Sequence, residues 1–316
     1  RARRLTLALA AAILLAILAA GAAYLWIDAG RRARVARATA AVTHALEDVA
    51  SLRGAARAAS VEDVAAWDKV RAALERAEAV AVQGDIEPAT RDRLAALAAE
   101  VYDEDSRARA AAAQAAKDRA MVAWLDEIRL RAADLWDTPG DFEGPTDAAY
   151  AAAFRDYGIE VDALAPAEAA ARVRATAISE SLVIALDDWT SVRSRGQPPG
   201  GEPVWRRLLD VAQAADSNRF RRELRSARRE RDVERARQLA GSEEALTLPA
   251  ATQEYLASVL GSFGDVPGAI AYLEKARCHH PDDFWIHFNL GFWLTRSTPV
   301  QHDRVLEACR VAVGHQ

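Results

Sequence analysis

The sequence contains few of the residues that are typical of disulfide-linked or β-rich proteins. Its 316 residues include two cysteines, one methionine and only 7% aromatic residues. Cys278 and Cys309 are too few for a disulfide framework. Sheets favour β-branched and aromatic residues, whereas the alanine and arginine that dominate this chain favour helices. The composition therefore predicts an all-α fold.

The sequence also lacks an excess of charge of one sign. It has 41 basic and 46 acidic residues, and its formal net charge is -5. Arginine alternates with aspartate and glutamate along the predicted helices. A nucleic-acid-binding surface requires a one-sided basic face. We therefore expect no nucleic-acid partner.

Residues that could bind a metal or transfer protons do not form a recognisable pattern. Adjacent acidic pairs at 126–127 and 187–188 cannot face one another on a helix, so we interpret them as solvated faces or inter-helix ion pairs. The histidines and cysteines near the C-terminus fit no standard zinc spacing. We therefore predict no catalytic residue, no cofactor and no metal. These histidines and cysteines are Cys278, His279, His280, His287, His302 and Cys309.

An uncharged apolar segment covers residues 5–27. At 1.5 Å per residue it would extend about 34 Å, enough to cross the hydrocarbon core of a bilayer. Tyr24 and Trp26 lie where an interfacial aromatic belt would fall. A signal peptide and a buried soluble helix are alternatives, but the segment is longer than a signal-peptide core and apolar on all sides. We predict a single membrane span, within a longer chain because the sequence begins with Arg1 and not with methionine.

Breaks in helical periodicity divide the rest of the chain. Glycine and proline predict a loop at 138–145 and a linker at 196–203. Pro88 and Pro166 are each expected to begin a helix, and the second of these helices is expected to run to about Ser194. Four tryptophans, at positions 124, 136, 189 and 205, are predicted to be packing anchors between helices. The predicted organisation is a membrane span with a basic flank (1–27), a long helical stalk or hairpin (28–120), a helical subdomain (121–195), the linker (196–203), short helices (204–248) and helical repeats (249–316).

One spacing recurs in the last segment and matches the 34-residue helix–turn–helix pattern of the tetratricopeptide repeat, or TPR. A second, partial repeat begins 34 residues after Leu256, and residues 298–301 lengthen its turn. We expect an α-solenoid with further repeats after Gln316, because solenoids generally end in a capping helix. The structural positions are Leu256, Leu260, Gly264, Ala269, Leu273, Ala276 and Pro281, followed by Leu290, Gly291 and Leu294.

In TPR proteins the ligand-facing positions lie on the first helix of each repeat. The Lys/Asn set that binds a peptide carboxylate in chaperone-binding TPR domains is absent here, and an aromatic groove suits a hydrophobic or helical peptide. Packing of Trp285 and Phe288 on a neighbouring repeat is the alternative. The resemblance assigns the groove to Glu254, Ser258, Trp285, Phe288, Phe292 and Arg296.

Several short sequence segments resemble the region that follows the membrane span in planctomycete-type serine/threonine protein kinases with C-terminal TPR repeats. These segments are WLDEIRLR at 124–131, YAAAFRDYG at 150–158, PAEAAAR at 166–172, ALDDW at 185–189, HPDDFW at 280–285 and NLG at 289–291. The resemblance implies a cytoplasmic kinase domain before Arg1, a single span and repeats outside the cytoplasm. The chain itself has no His-Arg-Asp motif, and its DFEG and GSFG segments are not kinase motifs.

The sequence thus predicts a single-pass membrane protein with most of this chain outside the cytoplasm. Its expected role is a non-catalytic interaction region, a sensor or scaffold, of a transmembrane serine/threonine kinase. That region would bind a protein or peptide through TPR helices. A membrane-tethered TPR scaffold without a kinase is the alternative, and an unrecognised enzyme is a third hypothesis.

Overall fold

The computed structural model describes residues 2–134, 143–196 and 203–314, with side chains from Leu14 to Val311 except at positions 16 and 134. All regular elements in these ranges are helices, and they contain no strand. The prediction of an all-α fold is confirmed. The chain divides into two compact units, Arg1–Ala116 and Lys117–Gln316, which are described separately below.

Two complete helices and the first part of a third form the first unit. Asp63 caps the second helix, because its carboxylate accepts a hydrogen bond from the backbone N–H of Ala66 at 3.2 Å. Pro88 begins the third helix. Proline is tolerated at the first helical position because the backbone N–H there has no partner within the helix. The helices are α1 (Ala2–Ala58), α2 (Val64–Gln83) and α3 (Pro88–Asp134), of which the residues up to Ala116 belong to this unit.

The core of the first unit lies where α1, α2 and α3 pack together. Arg53 of α1 donates two hydrogen bonds to Glu104 of α3, at 2.8 and 2.6 Å, and contacts Glu100 at 2.8 Å. The hydrogen bonds from Arg53, and then those from Arg57, lower the pKa of Glu104 to about 2. This two-point recognition therefore keeps the carboxylate charged and fixes the register of α1 on α3. The buried residues include Val42, Leu46, Val49, Trp67, Val70, Leu74, Leu94 and Val101.

The N-terminal part of α1 exposes large apolar side chains. Within the residues whose side chains are described, no helix is long and apolar enough to cross a membrane. The predicted span at 5–27 lies partly outside these residues, since side chains 1–13 and 16 are not described. The exposed side chains are Leu14, Leu15, Ile17, Leu18, Tyr24, Leu25, Trp26 and Ile27.

The second unit begins with the end of α3 and four further helices. The prediction of one helix from Pro166 to Ser194 is wrong, because the chain breaks at residues 175–178. There the hydroxyl of Thr176 donates to the carbonyl of Val173 at 2.9 Å, a local bond that competes with helix continuation. Residues 135–142 and 197–202, which include Trp136 and most of the two predicted loops, lie outside the described residues. The helices are α4 (Glu143–Tyr157), α5 (Pro166–Arg174), α6 (Ser179–Arg195) and α7 (Trp205–Ala215).

Trp189 lies at the centre of the core that these helices share. Its ring stacks on Phe154 and Tyr150, with centroids 5.5 and 6.0 Å away, and its indole N–H donates to Asp147. Trp124 packs at the edge of the same core. Helix α7 also buries its apolar face there, although it follows the predicted linker. The core therefore extends across both sides of that linker.

Six helices and a 3-10 turn complete the second unit. Two of them, together with α7, agree with the short helices expected between residues 204 and 240, to within a few residues at each end. The elements are α8 (Arg219–Glu230), α9 (Val233–Ala240), the 3-10 helix (Glu244–Thr247), α10 (Ala250–Ser262), α11 (Val266–His279), α12 (Phe284–Thr295) and α13 (His302–Gly314).

Helices α10–α13 form two successive helix–turn–helix pairs. Gly264 has a φ of 87°, a left-handed conformation that favours glycine, and Asp265 caps α11 by accepting from the N–H of Gly268 at 3.1 Å. Gly291 of α12 faces α13, where an added Cβ would lie at van der Waals distance, 3.5 Å, from the Cys309 sulfur. Pro281 is exposed after the end of α11. The apolar residues assigned to the repeat are buried at the seams, namely Leu256, Leu260, Ala269, Leu273, Ala276, Leu290 and Leu294.

A buried ion-pair network joins α6 to α8. Arg225, which has no exposed surface on its side chain, donates to both carboxylate oxygens of Asp187 at 2.8 and 2.6 Å. It also donates to Asp216 at 2.9 Å, and Arg221 contacts the same aspartate at 2.6 Å. Two arginines therefore balance two buried carboxylates, which is the condition for placing such charges in a core.

Candidate functional site

A cavity of about 330 Å³ opens between α3, α4, α6, α8, α10 and α12 in the second unit. This volume lies at the lower end of the range for small-ligand sites. The walls include all six residues predicted for the groove, which are Glu254, Ser258, Trp285, Phe288, Phe292 and Arg296. The structure thus brings the predicted residues together at one place, and their role in binding stays a prediction.

Aromatic residues of α12 form the apolar part of the cavity. Trp285, Phe288 and Phe292 follow the spacing of one helix face, so their side chains project in the same direction. The rings of Trp285 and Phe288 meet edge to face with centroids 5.8 Å apart. All three side chains are half-buried. Part of each ring is therefore packed against the protein, and the exposed part could contact an apolar group of a ligand.

The fourth aromatic residue of this wall depends on a glycine. Trp293 of α12 lies against the backbone of α10, and a Cβ added at Gly261 would come within 2.1 Å of the indole ring. Any larger residue at 261 would displace the ring. The close approach of α10 and α12 beside the cavity therefore requires glycine at this position.

Arg129 of α3 connects the acidic groups of the cavity. Its Nε lies 2.7 Å from Asp188 and its Nη2 lies 2.7 Å from Glu254. Its guanidinium also lies 4.1 Å from the centre of the Trp285 ring, a cation–π contact. The amide of Asn289 donates to the carbonyl of Trp285 at 3.0 Å. One arginine thus orients two carboxyl groups and one aromatic ring.

The charges around Arg129 do not balance. Burial raises the pKa of Glu254 to about 8, against the opposing effect of Arg129, and burial also raises the pKa of Asp188. Burial lowers the pKa of Arg129, but its carboxyl partners outweigh that effect and the net shift is upward. A single guanidinium compensates only one negative charge. Because the Glu254 side chain is the more buried, at 7% exposed against 29% for Asp188, we assign the retained proton to Glu254.

A second polar group consists of Arg228 and two serines of α6. Arg228 is 5% exposed, and it donates to the hydroxyls of Ser191 and Ser194 at 2.9 and 3.1 Å. The rings of Trp205 and Tyr255 lie within 6 Å of its guanidinium, at 5.8 and 5.6 Å. All carboxylate oxygens in the described part of the chain lie beyond ion-pair distance of Arg228. Its charge is therefore solvated by hydroxyls and rings.

Two further arginines line the cavity, and one of them has a carboxylate partner. Arg296 lies over the Phe292 ring at 3.6 Å, and Arg195 contacts Glu143 at 3.8 Å. Four arginines and two carboxyl groups thus line the walls. The cavity combines an aromatic surface with an excess of positive charge, and this combination favours an anionic ligand that has an apolar part.

Sequence reasoning missed Arg129, Arg228, Ser191 and Ser194. The bond from Arg129 to Glu254 joins residues 125 positions apart, and no local pattern indicates such a pairing. The acidic pair at 187–188 was a partial signal. Both members form inter-helix ion pairs: Asp187 pairs with Arg225 in the core, and Asp188 pairs with Arg129 beside the cavity.

Two of the histidines considered as metal ligands have other partners in the described part of the chain. His280 lies 2.9 Å from the Gln253 amide, and His287 lies 2.8 Å from the carbonyl of Pro281. Across the described residues, no three His, Cys, Asp or Glu side chains converge on one point as metal ligands would. Both imidazoles therefore have hydrogen-bond partners between helices and turns.

Comparison of the chain with family models, with curated proteins and with solved structures finds no match.

Proposed function

We propose that this chain is a membrane-anchored interaction region, non-catalytic in itself, that binds a peptide segment in the cavity lined by α12. The single observation that carries the proposal is the half-buried aromatic face of Trp285, Phe288 and Phe292 within a cavity of about 330 Å³. The occupant that fits this face is a segment of a partner protein with large aliphatic or aromatic side chains.

The spacing of buried residues in α10–α13 supports a TPR-type reading of this region. Leu256 and Leu290, which are 34 positions apart, are both buried in the second unit. The period equals the length of a TPR. In such repeats the first helix of each pair lines the binding surface, and α10 and α12 both contribute side chains to the cavity.

A peptide-display selection on the full chain in lipid nanodiscs tests the groove. We expect the wild-type protein to enrich peptides with large apolar residues, and the variants Phe292→Ala and Arg296→Ala to bind them at least several-fold more weakly. Leu306→Ala is the matched control, because Leu306 is an exposed leucine of α13 outside the cavity. Equal enrichment and equal affinity for the wild type and both variants would refute a peptide-binding role.

The proposed anchor is the segment at 5–27. Its support is the absence of charge over 23 residues, together with the exposed apolar side chains of α1 from Leu14 onward. An arginine at the centre of a span costs about 2.5–3.5 kcal/mol on insertion scales. Leu14→Arg combined with Leu18→Arg should therefore release the chain from membranes under alkaline carbonate extraction. Val82→Arg, at an exposed position outside the apolar segment, controls for added charge. Full retention of the double variant would argue against the anchor.

The wider context of the proposal is a transmembrane serine/threonine kinase, with most of this chain outside the cytoplasm. This context is supported by the resemblance of the sequence segments at 124–131, 150–158 and 185–189 to that class of protein. The coding sequence upstream of Arg1 tests it directly. A kinase domain there is the expected result, and its absence would favour a kinase-independent scaffold. Protease accessibility in intact cells would establish which side of the membrane the repeats face.

A further inference from the structure

We propose that the cavity recognises an acidic side chain of the partner peptide through Arg228, Ser191 and Ser194, next to the apolar residue that contacts α12. This inference rests on the proposed peptide-binding role and specifies the chemistry of the partner. The part of the site that binds the acidic group then lies on α6 and α8, outside the helix–turn–helix pairs.

The first argument is the unusual state of Arg228. An arginine that is 95% buried is normally paired with a carboxylate, because an uncompensated buried charge is costly. Here its partners are two hydroxyls and two aromatic rings. Both acidic residues of the cavity wall, Asp188 and Glu254, form ion pairs with Arg129 at 2.7 Å. A carboxylate from a ligand would supply the counter-charge that the described part of the chain does not provide.

The second argument is the orientation of the serine hydroxyls. Ser191 donates its hydroxyl proton to the carbonyl of Asp187 at 3.1 Å, and Ser194 donates to the carbonyl of Ser191 at 2.9 Å. Both oxygens are therefore oriented as acceptors, and they hold Arg228 from one side. Arginine has five N–H donors and these two bonds use two of them. Donors remain for a carboxylate, which arginine binds in a bidentate manner.

The third argument is the size of the cavity. At about 330 Å³ it holds the charged cluster of α6 and α8 and the aromatic face of α12 in one small space. Neighbouring side chains of a single peptide can therefore reach both. The excess of arginine over carboxyl groups on the walls favours an acidic peptide over a neutral or basic one.

The probe is a set of short fluorescein-labelled peptides with acetylated and amidated ends. Each has one phenylalanine and one glutamate in an alanine–serine background, at every spacing within one helical turn, and each has a counterpart with glutamine in place of glutamate. We expect at least one glutamate peptide to bind the full chain in nanodiscs about 10- to 100-fold more tightly than its counterpart. Equal affinities for every pair would overturn the proposal.

Variants of the arginine test its assignment. Arg228→Gln should reduce the ratio between glutamate and glutamine peptides to near one, and Arg228→Lys should restore part of it. Arg222→Gln, an exposed arginine of the same helix, should leave the ratio unchanged. If Arg228→Gln fails to fold, by circular dichroism and thermal unfolding, the double variant Ser191→Ala with Ser194→Ala takes its place and should reduce the ratio. A ratio that survives in every folded variant would overturn the role of Arg228.

The failure of this inference can be distinguished from the failure of the proposed function. Phe292→Ala should weaken both members of a peptide pair and leave their ratio unchanged. Glutamate and glutamine peptides that bind equally well would leave the peptide groove in place and remove the acidic specificity. No binding by any peptide would overturn both. Displacement of the peptide by free phenylpropionate at similar concentration would overturn the peptide as occupant in favour of a small aromatic acid.

Discussion

Replacing Glu254 by glutamine should change how the stability of the second unit depends on pH. The Glu254 carboxyl is buried beside Arg129 and Asp188, and its pKa is about 8 in the folded chain, against a usual value of 4.5. Between these two values the folded chain retains a proton that the unfolded chain has lost. Stability therefore falls as pH rises through this interval. The contribution of the protonated group is complete below about pH 4.5 and is lost above about pH 8.

The size of the effect follows from the two pKa values. One pKa unit corresponds to about 1.4 kcal/mol, so the interval amounts to about 5 kcal/mol at most. The Glu254 side chain is only 7% exposed, so solvent screening reduces this free energy only slightly. Glutamine is isosteric with the protonated acid but does not titrate. The free energy of unfolding of Glu254→Gln, relative to the wild type, should thus rise by about 1.4 kcal/mol for each pH unit between about pH 5 and about pH 8.

Urea unfolding at a series of pH values, followed by tryptophan fluorescence, measures this difference. Subtracting the wild type removes the titration of the shared groups that lie away from Glu254. The same substitution at exposed Glu160 controls for the loss of a carboxylate, and its difference should vary with pH by less than that of Glu254→Gln. A constant difference between Glu254→Gln and the wild type from acid to alkaline pH would refute the assignment of the proton to Glu254.

Substitutions at three further positions test the packing of the second unit. Trp189→Ala should lower the free energy of unfolding by about 3–5 kcal/mol in urea, because it empties the centre of a core in which Trp189 is 1% exposed. Arg225→Met should cost about 3–5 kcal/mol by the same measurement, since it leaves the buried Asp187 and Asp216 short of a counter-charge, and Arg225→Lys should recover only part of that loss. Gly264→Ala should cost about 1–2 kcal/mol, seen as a lower Tm, because its φ of 87° is unfavourable for alanine; an unchanged value for any of the three would contradict the contact on which it rests.

Helix ends were largely predictable from local chemistry. Proline at 88 and 166 begins α3 and α5, and Gly158, with a φ of 104°, follows the last residue of α4. Signals of this kind act within one turn, because a cap or a ring constraint involves neighbouring backbone groups. The break between α5 and α6 was missed because residues 175–178 contain neither glycine nor proline.

The candidate site was predictable only on its α10 and α12 side. The spacing of Trp285, Phe288 and Phe292 indicates a common helix face, which a periodic pattern can reveal. The pattern does not reveal what that face meets. In the structure the Trp285 ring contacts Arg129, more than 150 positions earlier in the chain, and Arg228 reaches the same cavity from α8.

The all-helical class and the buried positions of α10–α13 followed from the sequence alone, because helix propensity and helical periodicity act over one or two turns. Tertiary structure alone decided which charges share the cavity, which carboxyl keeps its proton and which arginine has no carboxylate near it in the described residues. The physical reason is that pKa values and ion pairs depend on burial and on distances of a few ångströms between distant segments. A composition that is almost balanced in charge thus folds into a cavity with four arginines and two acids on its walls.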